Sequence, residues 1–293
     1  MNRRKFLKML ASGMATGWVS QCWPGASPII GEAIAAPNLT IACLADPHLR
    51  DGNDQRPEAV SLAQAVAEIR ACKPAPRLVL FAGDLAHDGN PRALALGEEI
   101  LSELAMPVLG VRGEGDGIPS KGGAGGRFVD DGRFFYTYEG VNLLGLDTVW
   151  QDGPQGQGFA LGEPQQRWLA QVLPRLNPAA PLVVLSHAPL TPIYRPWGQW
   201  TRDSGPLLDH LSHFENILFL HGHGHLSESN VPNGKADRSP SHLSLPATSW
   251  PWPSPLAGTP RELRPGLGPR GCGWALLQAG GRQPRLCQVL WES

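Results

Sequence analysis

This sequence has little of what a membrane-spanning or nucleic-acid-binding protein needs. Its N-terminal apolar stretch, Met9 to Trp23, is short and broken by glycines, which argues against a permanent transmembrane helix. Basic residues show no excess: 25 Lys and Arg stand against 26 Asp and Glu, for a net charge of −1. A basic surface for nucleic acid is therefore not expected. Charged residues are only 17% of the chain and apolar ones 42%, so a sizeable core is available and global disorder is not expected. There is no internal repeat, no linker long enough to separate two domains, and no ligand-rich tail of the kind a metal-storage or sensor protein carries. What is abundant is glycine (35) and proline (29), which implies many loops rather than a helical bundle.

Residues 1–35 read as a targeting segment. Asn2-Arg3-Arg4-Lys5-Phe6-Leu7-Lys8 is followed by the apolar stretch and then by Ala33-Ile34-Ala35, a small-x-small cleavage pattern. The paired arginines before Phe-Leu-Lys resemble a twin-arginine export signal, which implies folded export and a mature periplasmic protein beginning near Ala36. Membrane contact is then expected only with the export machinery. Without Arg3, Arg4, Lys5, Lys8 and Glu32 of that segment, 21 basic and 25 acidic residues remain, a charge of −4. Four of the five cysteines lie in the mature part. Cys43 reads as a small buried hydrophobe. Cys272 and Cys287 flank an expected turn at Gly280-Gly281; an oxidising compartment would allow them to pair, subject to demanding cross-strand geometry.

The mature chain, 36–293, reads as one α/β domain. Apolar runs at Leu39–Ala45, Leu78–Ala82 and Val108–Val111 predict strands. Between them, Pro57 opens a helix with Leu62, Val66 and Ile69 on one face. Asn90-Pro91 caps another, carrying Leu96, Ile100 and Leu104. This alternation predicts parallel strands. Phe134–Tyr138 and Val141–Leu146, separated by Glu139-Gly140, predict an antiparallel hairpin. Pro164 opens a further helix with Trp168 and Val172. Val183–Leu185 and Ile217–Leu220 predict buried strands, and Trp274–Leu277 with Leu286–Trp291 a closing hairpin.

Five of these strands deliver an acidic or imidazole side chain just past their C-terminal ends. They are Asp46 with His48, Asp84, Glu114 with Asp116, His187, and His223 with His225. In an open α/β sheet that edge is where ligands bind. His223 and His225 are two apart, so in an extended or tightly turned backbone both imidazoles project the same way. Neutral imidazole is a common metal ligand, and mixed Asp and His donors suit Mn, Fe or Zn better than Mg or Ca.

The set Asp46-x-His48, Gly83-Asp84, Gly113-Glu114-Gly115-Asp116, His187 and Gly222-His223-Gly224-His225 resembles the calcineurin-like metallophosphoesterases over about residues 38–250. The resemblance implies a four-layer α/β/β/α sandwich of two mixed β-sheets, a dinuclear metal centre and a small phosphate-ester substrate, with the oligomeric state left open. It implies that Asp46, His48, Asp84 and His225 hold one metal, and that Asp84 bridges to a second held by Glu114, His187 and His223. Two such cations about 3.5–4 Å apart activate a bridging hydroxide and clamp the phosphoryl oxygens during in-line displacement. Asp84, Glu114 and Asp116 are the catalytic candidates.

Two positions depart from the family's Gly-Asn-His-Asp/Glu. Glu114 adds a third carboxylate, which lowers the positive charge of the site and raises the pKa of its water; a trivalent iron would offset it. Gly115 stands where the family has a histidine that stabilises the transition state or protonates the leaving group, a contribution of about 10²–10⁴ in rate. The alternative to an enzyme is therefore a non-catalytic binder of metal or phosphate ligands on the same scaffold. On the resemblance, a Gly115→His substitution distinguishes them. His221, Arg112, Lys121 and Arg127 are candidate substitutes, the last two near or on a glycine-rich loop at 117–126. Trp197, Trp200, Trp250 and Trp252 read as loop packing or pocket walls. His87, His210, His213 and His242 read as solvent-facing or structural, and Arg195 and Arg202 as possible phosphate contacts.

Overall fold

The computed structural model describes residues 39–117, 132–153, 156–192, 198–225, 229–230, 241–250, 271–279 and 284–291. The expected export segment, the glycine-rich loop with Lys121 and Arg127, Trp197, Trp252, Arg195 and the expected Gly280-Gly281 turn lie outside the described residues. Among the described residues no helix is long and apolar enough to cross a membrane.

The first sheet begins with β1 (Leu39–Leu44), β2 (Leu78–Phe81) and β3 (Val108–Gly110), all parallel. Helices α1 (Pro57–Ala71) and α2 (Pro91–Ser102) make the crossovers. These strands are apolar almost throughout, Thr40 excepted, because both faces are covered. Along β1, Ile41 and Cys43 point to the second sheet while Ala42 and Leu44 point to the helices, where Leu62, Val66, Ile69 and Ile100 meet them. The expected cap of α2 is present: the Asn90 side chain accepts from the Arg92 amide at 2.9 Å. Leu104, placed on that helix from its spacing, is buried just beyond the helix end.

The second sheet carries the predicted hairpin of β4 (Phe134–Tyr138) and β5 (Val141–Leu146), antiparallel as expected. A two-stranded ribbon follows, β6 (Val149–Gly153) and β7 (Gly156–Ala160), then α3 (Gly162–Val172). That helix starts two residues before Pro164, because the Asp203 carboxylate, far along the chain, accepts from the Leu161 and Gly162 amides. β8 (Leu182–Ser186), α4 (Gly205–Leu211), β9 (Ile217–His221), β10 (Ser229–Asn230) and β11 (Ser241–Ser244) complete it, in the order β10-β11-β9-β8-β5-β4. Leu169, Leu207 and Leu211 pack from α3 and α4 onto its outer face, against Leu144, Val184 and Phe219.

The chain then returns to the first sheet. β12 (Gly273–Ala279) lies antiparallel beside β1, with β13 (Arg285–Leu290) outside it. Leu277 and Ala279 join Leu143, Leu185 and Leu220 in the core between the sheets. The layers are thus helices, sheet, sheet, helices. The possible Cys272–Cys287 disulfide is not formed. Both thiols are free, and Cys287 faces Leu276 across the ladder, while Cys272 precedes β12 and is buried. Cys43 is fully buried, as read from its strand.

Candidate metal centre

The C-terminal ends of β1, β2, β3, β8 and β9 open on one edge of the sandwich. There the backbone turns sharply. Asp46, His48, Asp84, His223 and His225 all have left-handed φ, between 47° and 60°. Such a conformation costs a non-glycine residue about 1–3 kcal/mol and is tolerated where surrounding structure enforces it. Five of the seven side chains singled out from the sequence as metal ligands therefore sit on strained turns. Among the described residues the other non-glycine with positive φ is Glu139, in the β4–β5 turn.

Two separate clusters result, and Asp46, Asp84 and His187 form a third group that joins them. Asp46, His48 and His225 offer donor atoms to one point, and Glu114, His187 and His223 to another. In the first, the His48 and His225 Nε2 atoms are 2.9 Å apart. In the second, Glu114 Oε2 is 2.7 Å from His187 Nε2 and Glu114 Oε1 is 3.0 Å from His223 Nδ1. Asp84 Oδ2 lies between them, 3.4 Å from His48 Nε2 and 3.5 Å from His187 Nε2. The other oxygen, Oδ1, accepts the Gly115 amide at 2.7 Å, which fixes the carboxylate with Oδ2 toward both clusters.

The imidazoles are oriented from behind. His187 Nδ1 donates to the Ala82 carbonyl and His225 Nδ1 to the Trp250 carbonyl, each at 2.7 Å. Both Nε2 atoms are thereby left facing the clusters, as lone pairs whenever the rings are neutral. His187 Nε2 is buried and makes no aligned hydrogen bond, although two carboxylates are close. An imidazole nitrogen this close to carboxylate oxygens calls for a proton or a cation between them. That geometry, with three carboxylates and four imidazoles, fits a pair of transition-metal ions.

The electrostatics agree. Burial pushes His187 toward the neutral form, but Asp84, Glu114 and Asp46 outweigh it and raise its pKa well above the ordinary imidazole value. Glu114 is pushed up by burial and pulled down further by His187 and His223, ending below its ordinary value. Burial raises Asp84 well above the carboxylate range and Asp46 to about 7. Burial lowers His48 to about 2 and His225 to about 4, with neighbouring imidazoles adding to the shift, so both are neutral above pH 5. A cation entering the first cluster below pH 7 must displace the Asp46 proton and need displace none from these histidines. Metal affinity, measured by competition with a chelator, is expected to rise at least about tenfold per pH unit from pH 5 to 7, because Asp46, and Asp84 with it, must give up a proton to the ion. A flat profile contradicts this.

Asp116, expected among the catalytic residues, is placed as a brace. It is buried, and its two oxygens accept from the backbone amides of Gly113, Asp84 and Ala86 at 2.9–3.0 Å. The turn it holds is wrapped tightly around Asp84. A Cβ at Gly113 would fall 2.1 Å from Asp84 Oδ1, and one at Gly115 only 2.3 Å from the Ala86 carbonyl oxygen. A histidine therefore does not fit at position 115 on this backbone.

Of the other residues read from sequence, Arg112 is committed to Asp147, its Nε 2.9 Å from Oδ2. His221 is buried within β9, with Nδ1 3.1 Å from the Gly222 carbonyl, and burial lowers it to about 4. His242 stacks on Phe219, His210 and His213 are exposed, and Arg202 lays its guanidinium over Gly158. Trp200 is half-buried.

Residues 39–227 match the calcineurin-like phosphoesterase family. The chain belongs to that family. It is 27% identical over 194 residues to a probable cyclic nucleotide phosphodiesterase of Synechococcus sp., spanning 65% of this chain and 74% of that protein. Its fold is similar to that of a dimetal phosphatase from Danio rerio, at a TM-score of 0.59 and 16% identity, covering 86% of this chain and 99% of that one. It is also similar to the TT1561 protein of Thermus thermophilus, at a TM-score of 0.50 and 13% identity, with the same coverage.

In this calcineurin-like phosphoesterase, three residues stand beside the clusters without any sequence pattern that puts them there. Trp250 stacks on His48 at 4.8 Å and 24°, with the Arg50 guanidinium 5.8 Å from the indole. His87, exposed, brings Nδ1 to 3.4 Å from His48 Nδ1. Gln199 meets His223. None carries a spacing signal, because each reaches the site from a loop set by tertiary packing.

Proposed function

We propose that this chain is an exported, metal-dependent phosphodiesterase. The observation that carries the reading is Asp84 Oδ2, set almost equally far from an imidazole of each cluster, where one oxygen could serve two ions. Asp46, His48, Asp84 and His225 would hold one metal, and Asp84, Glu114, His187 and His223 the other, as Mn, Fe or Zn. When bound, the pair would supply Lewis-acid polarisation of the phosphoryl oxygens and acidification of water. The protein's own part is positioning. Gly115 and Asp116 hold Asp84, the Ala82 and Trp250 carbonyls set two histidine tautomers, and the strained turns aim the donors.

Glu114 favours diesters. A third carboxylate lowers the positive charge offered to substrate, which weakens the pull on a phosphomonoester, with about −1.5 to −2 charge near neutral pH, more than on a singly charged diester. The relative described as a probable cyclic nucleotide phosphodiesterase supports the same substrate class. Export to the periplasm is proposed from Arg3-Arg4 and the segment after it.

The test is a comparison of bis(4-nitrophenyl) phosphate, 3′,5′-cyclic nucleotides and 4-nitrophenyl phosphate with the mature protein in Mn, Fe or Zn. Diester turnover at least about tenfold above monoester turnover is expected, and a monoester preference contradicts the reading. The lack of a side chain at Gly115 favours one rival, a non-catalytic binder; a fully loaded protein with no turnover on any of the three would select it.

A further inference from the structure

Two of the four cluster histidines, His187 and His225, are oriented by backbone carbonyls. The ring of His223 is held differently. Its Nδ1 faces Glu114 at 3.0 Å, and its Nε2 meets the side-chain oxygen of Gln199 at 3.0 Å. We propose that Gln199 is a positioning residue for the second metal, holding His223 in the Nε2–H tautomer that leaves Nδ1 as the ligand atom. This rests on the metal-centre reading above.

The segment that carries Gln199 is built to do this. It follows β8 and is stitched to β7. The Thr201 amide donates to the Pro189 carbonyl at 2.9 Å, and the Arg202 amide to the Phe159 carbonyl at 2.9 Å. Ser204 Oγ donates to the Leu190 carbonyl at 2.6 Å, and Asp203 caps α3. Phe159, fixed by the same stitching and fully buried, presses edge-on against His223 at 4.7 Å and 70°. The imidazole is thus located by Phe159 and rotated by Gln199. An imidazole with its proton on Nδ1 would donate a hydrogen bond to Glu114 and could not share a cation with it. An acceptor at Nε2 decides between the two states, and a side-chain amide oxygen supplies one. Partners of this kind typically change metal affinity by about 10–100-fold.

The test uses the full mature protein, stripped and reloaded with Zn. Gln199→Leu removes the acceptor at similar size, and Gln199→Glu keeps a group that can only accept. Zn affinity is read by chelator competition, the histidine tautomers by 15N shifts of labelled imidazoles, and the metal-free fold by thermal melting. The expected result is that Gln199→Leu weakens one of two Zn sites about 10–100-fold. The metal-free melt should be unchanged and the Nε2–H signal of one Nδ1-bound imidazole lost, while Gln199→Glu binds at least as tightly as the parent. Equal Zn affinity in the parent and Gln199→Leu overturns the proposal. So does an equal loss in both variants, or a loss matched by a lower metal-free melt, which would mark a packing role. A parent that binds no Zn at all fails earlier and overturns the metal centre itself.

Discussion

Asp84→Asn is expected to lower phosphodiester hydrolysis by about 10²–10³-fold, the scale of losing an electrostatic contact at a reacting centre. The substitution is nearly isosteric. An Asn oxygen can still accept the Gly115 amide that Asp84 Oδ1 accepts now. Its NH₂ group then faces His48 and His187 in place of Oδ2, putting a donor where a shared ligand is needed. The fold should not suffer. Burial makes the ionised Asp84 unfavourable in the metal-free protein, so a neutral replacement should hold or raise the metal-free melting temperature. Retention of more than a tenth of the activity, with both metals bound, would show that Asp84 is not the shared ligand.

Gly115→His is expected to damage the protein rather than restore a family feature. A Cβ there would lie 2.3 Å from the Ala86 carbonyl oxygen, 3.1 Å from Asp84 Oδ1 and 3.1 Å from the His87 carbonyl oxygen. Two of these are backbone atoms, in a segment tied down by Asp116, so the turn itself has to move. Overpacking of this sort costs about 1–3 kcal/mol. Movement of the turn also withdraws the Gly115 amide from Asp84. The melting temperature and the hydrolysis rate should fall together. Gly205→Ala, where no atom lies within 4 Å of the added carbon, is the matched control and should leave both nearly unchanged. A stable Gly115→His protein with a rate gain of about 10² would contradict this and restore the view that a missing acid limits turnover.

The contrast at position 115 marks what the sequence could and could not convey. Strand ends were legible, because runs such as Leu39–Leu44 and Ile217–His221 are buried on both faces and therefore apolar almost throughout. The side chains after them were legible for the same reason: Asp46, Asp84 and His187 stand out against that background. The meaning of Gly115 was not. From pattern alone it is a histidine lost, whereas in three dimensions it gives the room a backbone amide needs to reach Asp84. Asp116 likewise reads as chemistry and is placed on three backbone amides. The roles of Gln199 and His87 were silent, and Trp250 read only as loop packing or a pocket wall, because their link to the site is a fold-level contact; Gln199 meets His223 through the packing of β7 against the loop after β8. The placement of β12 beside β1 was equally hidden, since a closing hairpin does not say which sheet edge it completes.

The central claim is that two convergent clusters sharing Asp84 work as one hydrolytic centre. It is tested most directly by adding Mn to chelator-stripped mature protein while bound metal and bis(4-nitrophenyl) phosphate hydrolysis are followed together. The account predicts no hydrolysis without metal and a rate that climbs to a plateau as the second ion per chain binds. Full activity in the stripped protein, or two bound ions without hydrolysis, would contradict it.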